Sequence, residues 1–193
     1  MFIDLVKKAR SHRGFRQDRP VTRQELGYLV ECARYTPSAR NDQVLKYYLA
    51  NDPETVARIL PLSKWAGALA ELHLPRKGAE PVAFIVICLD SMLAENPAPY
   101  QRDVGIVAQT MLLAAAEMGL NGCMIGSFAA GQLRETLNLP ETIKPQLLLA
   151  LGAGTDRIVL TDVREDGKTT YFRDENDTHY VPKRTPEQLI LNK

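Results

Sequence analysis

The segment from Asp103 to Met118 constrains the fold of this chain more than any other. It has the length of a long helix and leaves almost no polar face. A helix that is apolar on all sides must be buried, either at the centre of a domain or against another subunit. The chain has 193 residues, enough for one domain with a substantial core around such a helix. The apolar residues of the segment are Val104, Ile106, Val107, Ala108, Met111, Leu112, Leu113 and Ala115.

Other patterns complete a mixed α/β domain. The continuous apolar run from Val82 to Leu89 predicts a central strand that is buried on both faces, and Gln146–Leu151 predicts a second buried strand. Thr22-Arg23-Gln24-Glu25 matches a capping box, so we predict a helix over Thr22–Arg34. A short strand is predicted over Tyr47–Ala50, and further helices over Met1–Arg10, from Asp52-Pro53, and over Ala130–Leu137.

Composition excludes several classes of function. The net charge of +1 gives no reason to expect nucleic acid or an anionic membrane as a partner. The apolar runs are too short to cross a bilayer, and the N-terminus has no signal-peptide pattern. The cysteines and histidines are scattered and no Cys-x-x-Cys occurs, so we expect neither a disulfide framework nor a metal site. A cytoplasmic location is the expectation that follows.

A polar loop, Thr36 to Gln43, lies between the predicted Thr22–Arg34 helix and the strand that follows. Its small and amide residues offer donors and acceptors at close backbone approach, which suits a flat ligand with polar edges. Arg10-Ser11-His12-Arg13 ends the first helix, where cations complement the helix dipole; Arg and Ser at this spacing would also bind a phosphate. Lys183-Arg184 alone is an ordinary surface pair.

Other motifs favour structural roles. Gly152-Ala153-Gly154 follows a strand but lacks the third glycine of a dinucleotide-binding motif, so a turn that ends the strand is the better interpretation. No adjacent histidine accompanies Ser127, which argues against a hydrolase. Asp103 fits the first turn of its helix. Lys64-Trp65 either packs in the core or lines a pocket.

Four segments, taken in order, resemble the nitroreductase family of FMN-dependent oxidoreductases. They span nearly the whole chain, and their joint order is more specific than any one of them. The segments are Ala9 to Phe15, Pro37 to Gln43, Asp103 to Gln109 running into Gly119 to Gly126, and Pro182-Lys183-Arg184.

The resemblance implies an α+β, three-layer fold with a central mixed, mainly antiparallel sheet flanked by helices. It also implies an intertwined homodimer of single domains, residues 1–193, with a C-terminal arm of about 157–193 that wraps the partner subunit. The flavin would carry the chemistry, with no catalytic side chain. The residues that would bind FMN are Arg10, Ser11, Arg13, Pro37, Ser38, Ala39, Asn41, Gln43, Ile125, Gly126, Lys183 and Arg184.

The implied activity is electron transfer from NADH or NADPH through FMN to a small organic acceptor, such as a nitroaromatic or a quinone, in ping-pong order. Two positions depart from the family pattern: Ala9 replaces a basic residue, and Val44-Leu45 replaces Pro-Trp. Two alternatives therefore stay open. One is an FMN-binding sensor or carrier without efficient turnover, and the other is a flavin-dependent dehalogenase or dehydrogenase of a specific metabolite.

Overall fold

The computed structural model describes residues 1–94 and 96–192. The α-helices are α1 (Phe2–Lys8), α2 (Arg23–Arg34), α3 (Pro53–Ile59), α4 (Gln101–Glu117), α5 (Ala130–Thr136) and α6 (Pro186–Leu189). The strands are β1 (Leu45–Ala50), β2 (Ala83–Asp90), β3 (Asn121–Ile125), β4 (Ile143–Gly152), β5 (Ile158–Asp162), β6 (Phe172–Arg173) and β7 (His179–Lys183).

Two sheets organise the chain. The larger sheet has the order β1-β2-β4-β3, and every neighbouring pair in it is antiparallel. The smaller sheet has the order β5-β7-β6, in which β5 and β7 run parallel. The predicted central strand and its buried partner are confirmed as β2 and β4, at the middle of the larger sheet.

Helices cover both faces of the larger sheet. On β2, Ile85 and Ile87 belong to the apolar cluster that contains residues of α2 and α4. Their neighbours Phe84 and Val86 belong to the cluster on the other face, which contains residues of α3 and α5. Because successive side chains of a strand point to opposite faces, a strand covered on both faces is apolar at every position. The arrangement confirms the α+β fold.

The apolar helix is α4, which has 17 residues and lies largely within the core. An exposed stripe remains on it, and Ile106 in that stripe is 37% exposed. Gly119 follows the helix with φ of +79°, a conformation that glycine adopts without strain. Among the described residues, no helix combines the length and the apolar character needed to cross a membrane.

The predicted capping box of α2 is present. The Thr22 side chain accepts a hydrogen bond from the Glu25 N–H, and the Glu25 carboxylate accepts one from the Thr22 N–H at 2.8 Å. Each bond satisfies a backbone donor that a helix N-terminus leaves unpaired.

The chain after 157 forms the smaller sheet and α6. Within one chain this segment returns to the N-terminal residues, since Arg13 contacts both Tyr171 and His179. Its wrapping of a partner subunit stays a prediction.

Candidate functional site

The smaller sheet and the segment after α1 enclose a cavity of ≈ 180 Å³, which we call the cationic pocket. The N-terminal residues reach it because the backbone at Ser11 forms a parallel bridge to Gly122, and the His12 N–H donates to the Gly122 carbonyl at 3.0 Å. These contacts attach the segment to the edge strand β3. The pocket is lined by Arg10, Ser11, Arg13, Ile158, Tyr171, His179, Val181 and Lys183.

Three cations of this pocket have no acidic partner among the described residues. Arg10, Arg13 and Lys183 form no ion pair with Asp or Glu in the part of the chain that the structure describes. The Nε of Arg10 is also buried without a hydrogen-bond partner among those residues. Cations that are concentrated in this way attract an anion, and guanidinium groups match the oxygens of a phosphate.

Successive side chains of β7 point to opposite faces of the smaller sheet, and this determines which C-terminal residues reach the pocket. His179, Val181 and Lys183 line it, whereas Tyr180 and Pro182 line a cavity on the other face of the small sheet. Arg184 follows the strand, is exposed and is not among the lining residues.

A second cavity, of ≈ 160 Å³, lies where β3 ends, and we call it the strand-end pocket. Ile125 and Gly126 line it together with Arg13, Lys64 and Trp65. The Lys64 N–H donates to the Ser127 carbonyl at 2.8 Å, so the loop that carries Lys64 and Trp65 is attached to the chain just beyond Gly126. Two residues, Arg13 and Tyr171, line both this pocket and the cationic pocket.

Trp65 has both a structural and a pocket role. Its ring packs against the apolar cluster on the α3 and α5 face of the sheet. Its indole N–H donates to Ser63 Oγ at 2.8 Å, and the side chain also lines the strand-end pocket.

The loop from Pro37 to Gln43 lies at a separate cavity of ≈ 140 Å³, lined in part by Ser38, Gln43 and Asp103. One chain therefore brings Arg10, Ser11, Arg13 and Lys183 together and places Ile125 and Gly126 next to them. It does not bring Pro37, Ser38, Ala39, Asn41 and Gln43 into either pocket. The Ser38 Oγ is buried without a partner among the described residues.

The loop is held by two residues near the start of α4. The buried Asp103 carboxylate accepts hydrogen bonds from the Ala39 N–H, and the Arg40 guanidinium donates to the Tyr100 hydroxyl at 2.8 Å. That hydroxyl in turn donates to the Asp42 carboxylate at 2.7 Å. Three residues of the loop that are not glycine have positive φ, which requires support from the surrounding structure. They are Arg40, Asn41 and Gln43.

A buried polar cluster lies behind Arg13. Asp156 Oδ2 accepts from the backbone N–H groups of Arg13 and Gly14 at 2.5 and 3.2 Å, and Asp156 Oδ1 accepts from Arg173 at 2.7 Å. Burial disfavours the charged carboxyl, but these donors outweigh burial and lower the pKa of Asp156. Burial, with Arg13 next, lowers the pKa of His179 to about 4. Burial also lowers the pKa of His12, although Asp156 partly offsets this.

The Gly152-Ala153-Gly154 turn has a packing role. A Cβ on Gly152 would lie 2.9 Å from the Phe15 ring, and one on Gly154 would lie 2.2 Å from the His12 ring. These glycines let the segment after α1 approach the end of β4, and this packing agrees with the interpretation as a turn that ends the strand.

Sequence reasoning missed Tyr171 and His179 as pocket residues and left Lys64 and Trp65 undecided. Tyr171 lies outside any strand, and nothing local indicates that it meets Arg13. Side chains at every second position of a strand lie on the same face, so His179 and Val181 share the face of Lys183. Because Lys183 was already a candidate, this pattern could have indicated His179.

Comparison with known proteins gives a consistent result. The model of the nitroreductase family matches residues 6–153. A protein of Methanothermobacter thermautotrophicus, provisionally named NADH dehydrogenase/NAD(P)H nitroreductase, is 25% identical over 154 residues, which cover 78% of this chain and 75% of that protein.

Solved structures share the fold. An FMN-dependent nitroreductase from Clostridium difficile R20291 has a TM-score of 0.65 at 22% identity, covering 80% of this chain and 88% of that one. A provisionally named nitroreductase from Exiguobacterium sibiricum, solved in complex with FMN, has a TM-score of 0.70 at 20% identity, covering 85% and 92%. The family match covers most of the chain and agrees with the fold, so the chain belongs to the nitroreductase family.

Proposed function

We propose that this chain is an FMN-dependent oxidoreductase that takes electrons from NADH or NADPH and passes them to a small organic acceptor in ping-pong order. The observation that carries the proposal is the cationic pocket, which adjoins the strand-end pocket through Arg13. Its cations Arg10, Arg13 and Lys183 form no ion pair with an acidic residue among those that the structure describes. Relatives named as NAD(P)H nitroreductases and a neighbour solved with FMN support it.

The residues present fit the phosphate of FMN. Arg10, Arg13 and Lys183 supply positive charge and Ser11 supplies a hydroxyl, all in one pocket. The Nε of Arg10, which is buried without a partner among the described residues, is a donor that a phosphate oxygen would satisfy. Arg184, which follows Lys183, stays a predicted contact.

We assign the strand-end pocket to the redox-active end of the cofactor. When bound, FMN supplies the two-electron chemistry itself. In this proposal the backbone at Ile125 and Gly126 approaches the ring, and Arg13 lies at its edge. Lys64 and Trp65 also line this pocket, and in this proposal the nicotinamide and the acceptor enter beside them. Nitroaromatics and quinones are the acceptor classes that we propose.

The proposed site is completed by a second subunit. The loop Pro37–Gln43 lies at a different cavity of its own chain, and the Asp103 and Tyr100 contacts hold it in shape. In a homodimer this loop would reach the partner's flavin, and the buried Ser38 Oγ would gain a partner there. The proposal requires neither nucleic acid nor a membrane, and we place the protein in the cytoplasm.

The test uses the purified full-length chain. We expect a yellow protein with the absorbance of oxidised flavin, rapid anaerobic bleaching by NADH or NADPH, and recovery of colour on addition of a nitroaromatic or a quinone. Initial rates should give parallel double-reciprocal lines. Bound FMN that neither nicotinamide reduces would favour the sensor or carrier alternative. A colourless protein that takes up no added FMN would overturn the proposal.

A further inference from the structure

We propose that Tyr171 and His179 are positioning residues, which hold the Arg13 guanidinium in the orientation that the cofactor requires. The smaller sheet and the adjacent Tyr171 would thereby set the affinity of the protein for FMN and the potential of the bound flavin. This inference rests on the proposed FMN site and deepens it.

The two residues contact the same guanidinium. Arg13 Cζ lies 5.1 Å from the centroid of the Tyr171 ring, which is cation–π geometry. Arg13 Nη1 lies 3.4 Å from His179 Nε2. The rings of Tyr171 and His179 are themselves packed, with centroids 5.2 Å apart and planes tilted by 59°. Together they form one support for the guanidinium.

The contact with His179 defines the state of that histidine. Arginine carries only donors, so a hydrogen bond at this contact uses Nε2 of His179 as the acceptor and requires a neutral imidazole. Burial of His179, which is 3% exposed, favours the neutral form, as does the nearby Arg13 charge. His179 can therefore hold Arg13 at neutral pH without repelling it.

The backbone of Arg13 is fixed independently of its side chain. Asp156 accepts from the Arg13 N–H, and Arg173 holds Asp156 from the small sheet. With its backbone fixed by Asp156 and its guanidinium contacted by Tyr171 and His179, Arg13 is ordered before any ligand arrives. A long side chain that is already ordered loses less rotamer entropy on binding, which raises affinity.

The position of Tyr171 links this support to both pockets. Tyr171 and Arg13 are the two residues that line the cationic pocket as well as the strand-end pocket. Removal of the Tyr171 ring would free the Arg13 guanidinium at the boundary between the two pockets, one proposed for the phosphate and the other for the redox-active end of the cofactor.

The experiment compares two matched pairs of variants in FMN titrations and in potential measurements. We expect Tyr171→Leu and His179→Leu each to weaken FMN binding about tenfold, and Tyr171→Phe and His179→Gln to restore most of it, because the ring face and the acceptor return. If the affinity for reduced FMN falls ten times more than the affinity for oxidised FMN, the potential falls by about 30 mV.

Tyr180→Leu is the control. Tyr180 stacks on Phe172 at 5.1 Å in the same sheet but lines neither pocket. Its loss should weaken the sheet and leave the flavin potential at the wild-type value. The variants Tyr171→Leu and His179→Leu should shift the potential even where their unfolding midpoints match that of Tyr180→Leu.

The decisive step repeats both pairs in an Arg13→Ala background. Positioning through Arg13 predicts that Tyr171→Leu and His179→Leu then cause no further loss of FMN affinity. If Tyr171→Leu fails to fold, the His179→Leu and His179→Gln pair gives the same test. Equal losses with and without Arg13 would overturn this inference alone, since FMN would still bind. A wild-type chain that binds no FMN would overturn the proposed function with it.

Discussion

The Asp103 carboxylate holds the backbone of Ala39, with Oδ2 at 3.0 Å and Oδ1 at 3.2 Å from the amide nitrogen. Asp103 is 4% exposed and lies in the first turn of the core helix α4. The core helix α4 is thus attached to the loop that is proposed to reach the partner's cofactor. Asp103 does lie in the first turn, as expected from the sequence, but the donor that it satisfies belongs to a remote loop.

The first prediction removes this contact. Asp103→Ala leaves the Ala39 N–H without its acceptor, so the free energy of unfolding should fall by about 1–3 kcal/mol. Asp103→Asn keeps one acceptor oxygen and should lose less. Asp162→Ala, at an exposed position of β5, is the control and should stay close to wild type. Urea unfolding measures the three variants, and an unchanged midpoint for Asp103→Ala would show that the contact does not stabilise the loop.

The second prediction concerns the charge of Arg13. Reduced flavin carries negative charge at one edge, and a cation about 4 Å away at an effective dielectric near 20 contributes roughly 4 kcal/mol before desolvation losses. For two electrons this corresponds to at most about 90 mV. Arg13→Ala should therefore lower the potential of bound FMN and weaken FMN binding. Arg16→Ala is the matched control, because Arg16 pairs with Asp18 at the surface. An unchanged flavin potential and an unchanged FMN affinity in Arg13→Ala would show that Arg13 is not part of the site.

The third prediction is a loss of stability in mild acid. His179 is neutral in the folded chain down to its pKa of about 4, whereas the unfolded chain protonates near pH 6.5. Its contribution is complete above pH 6.5 and is lost as pH falls toward 4, by about 2 kcal/mol at pH 5. His12 acts in the same direction. Asp156, whose pKa is lowered, adds its loss only below about pH 4.

Urea unfolding at pH 7 and pH 5 measures this effect. His179→Gln should unfold with a pH dependence that is smaller by about 2 kcal/mol. His73→Gln, which replaces an exposed histidine, should keep the wild-type pH dependence. Equal pH dependence in wild type and His179→Gln would mean that His179 takes up its proton as readily in the folded chain as in the unfolded chain, which would contradict the prediction.

The fold was predictable where the pattern is local. Local patterns predicted three features: the apolar helix α4, the buried strand β2 and the capping box of α2. Each of these patterns consists of residues that are close together in the chain. The strands after 157 were not predicted, because β5 pairs in parallel with β7 across an intervening charged segment. Parallel pairing depends on residues that are distant along the chain.

The same limit applies to the candidate site. Arg10, Ser11 and Arg13 form a recognisable motif, and the structure places them in one pocket. Tyr171 and His179 reach Arg13 from 158 and 166 positions further along the chain, as their residue numbers show. The alternation along β7 could have placed His179 on the same face as Lys183. It does not show that this face meets Arg13, because that contact depends on the folded sheet.

The fourth prediction concerns the charge of the acceptor. Arg13 and Lys64 line the strand-end pocket, and no Asp or Glu of the described chain lines it. An anionic acceptor should therefore be preferred, so that 4-nitrobenzoate has a lower KM than the neutral 4-nitrobenzamide. Lys64→Gln should raise the KM for the anion about fivefold relative to the amide, which corresponds to about 1 kcal/mol for an exposed pair. Lys46→Gln on β1 is the control. An unchanged ratio of the two KM values in Lys64→Gln would exclude Lys64 from acceptor binding.

The fifth prediction concerns the proposed homodimer. The core helix α4 exposes Ile106, and the neighbouring α1 exposes Phe2 and Ile3, which are 70% and 49% exposed. Apolar side chains on adjacent helices fit an interface between two copies of the chain. Near a two-fold axis a single substitution acts twice, so Ile106→Glu would place two like charges in apolar surroundings.

Sedimentation and FMN titration test this interface together. Wild type should sediment as a dimer, and Ile106→Glu should shift toward monomer and lose FMN in parallel, because the Pro37–Gln43 loop would no longer reach the partner's site. Ile106→Leu keeps the apolar surface and should behave as wild type. A dimeric, FMN-loaded Ile106→Glu variant would place the interface elsewhere. A wild-type chain that is monomeric and fully loaded with FMN at micromolar concentration would contradict a site shared between subunits.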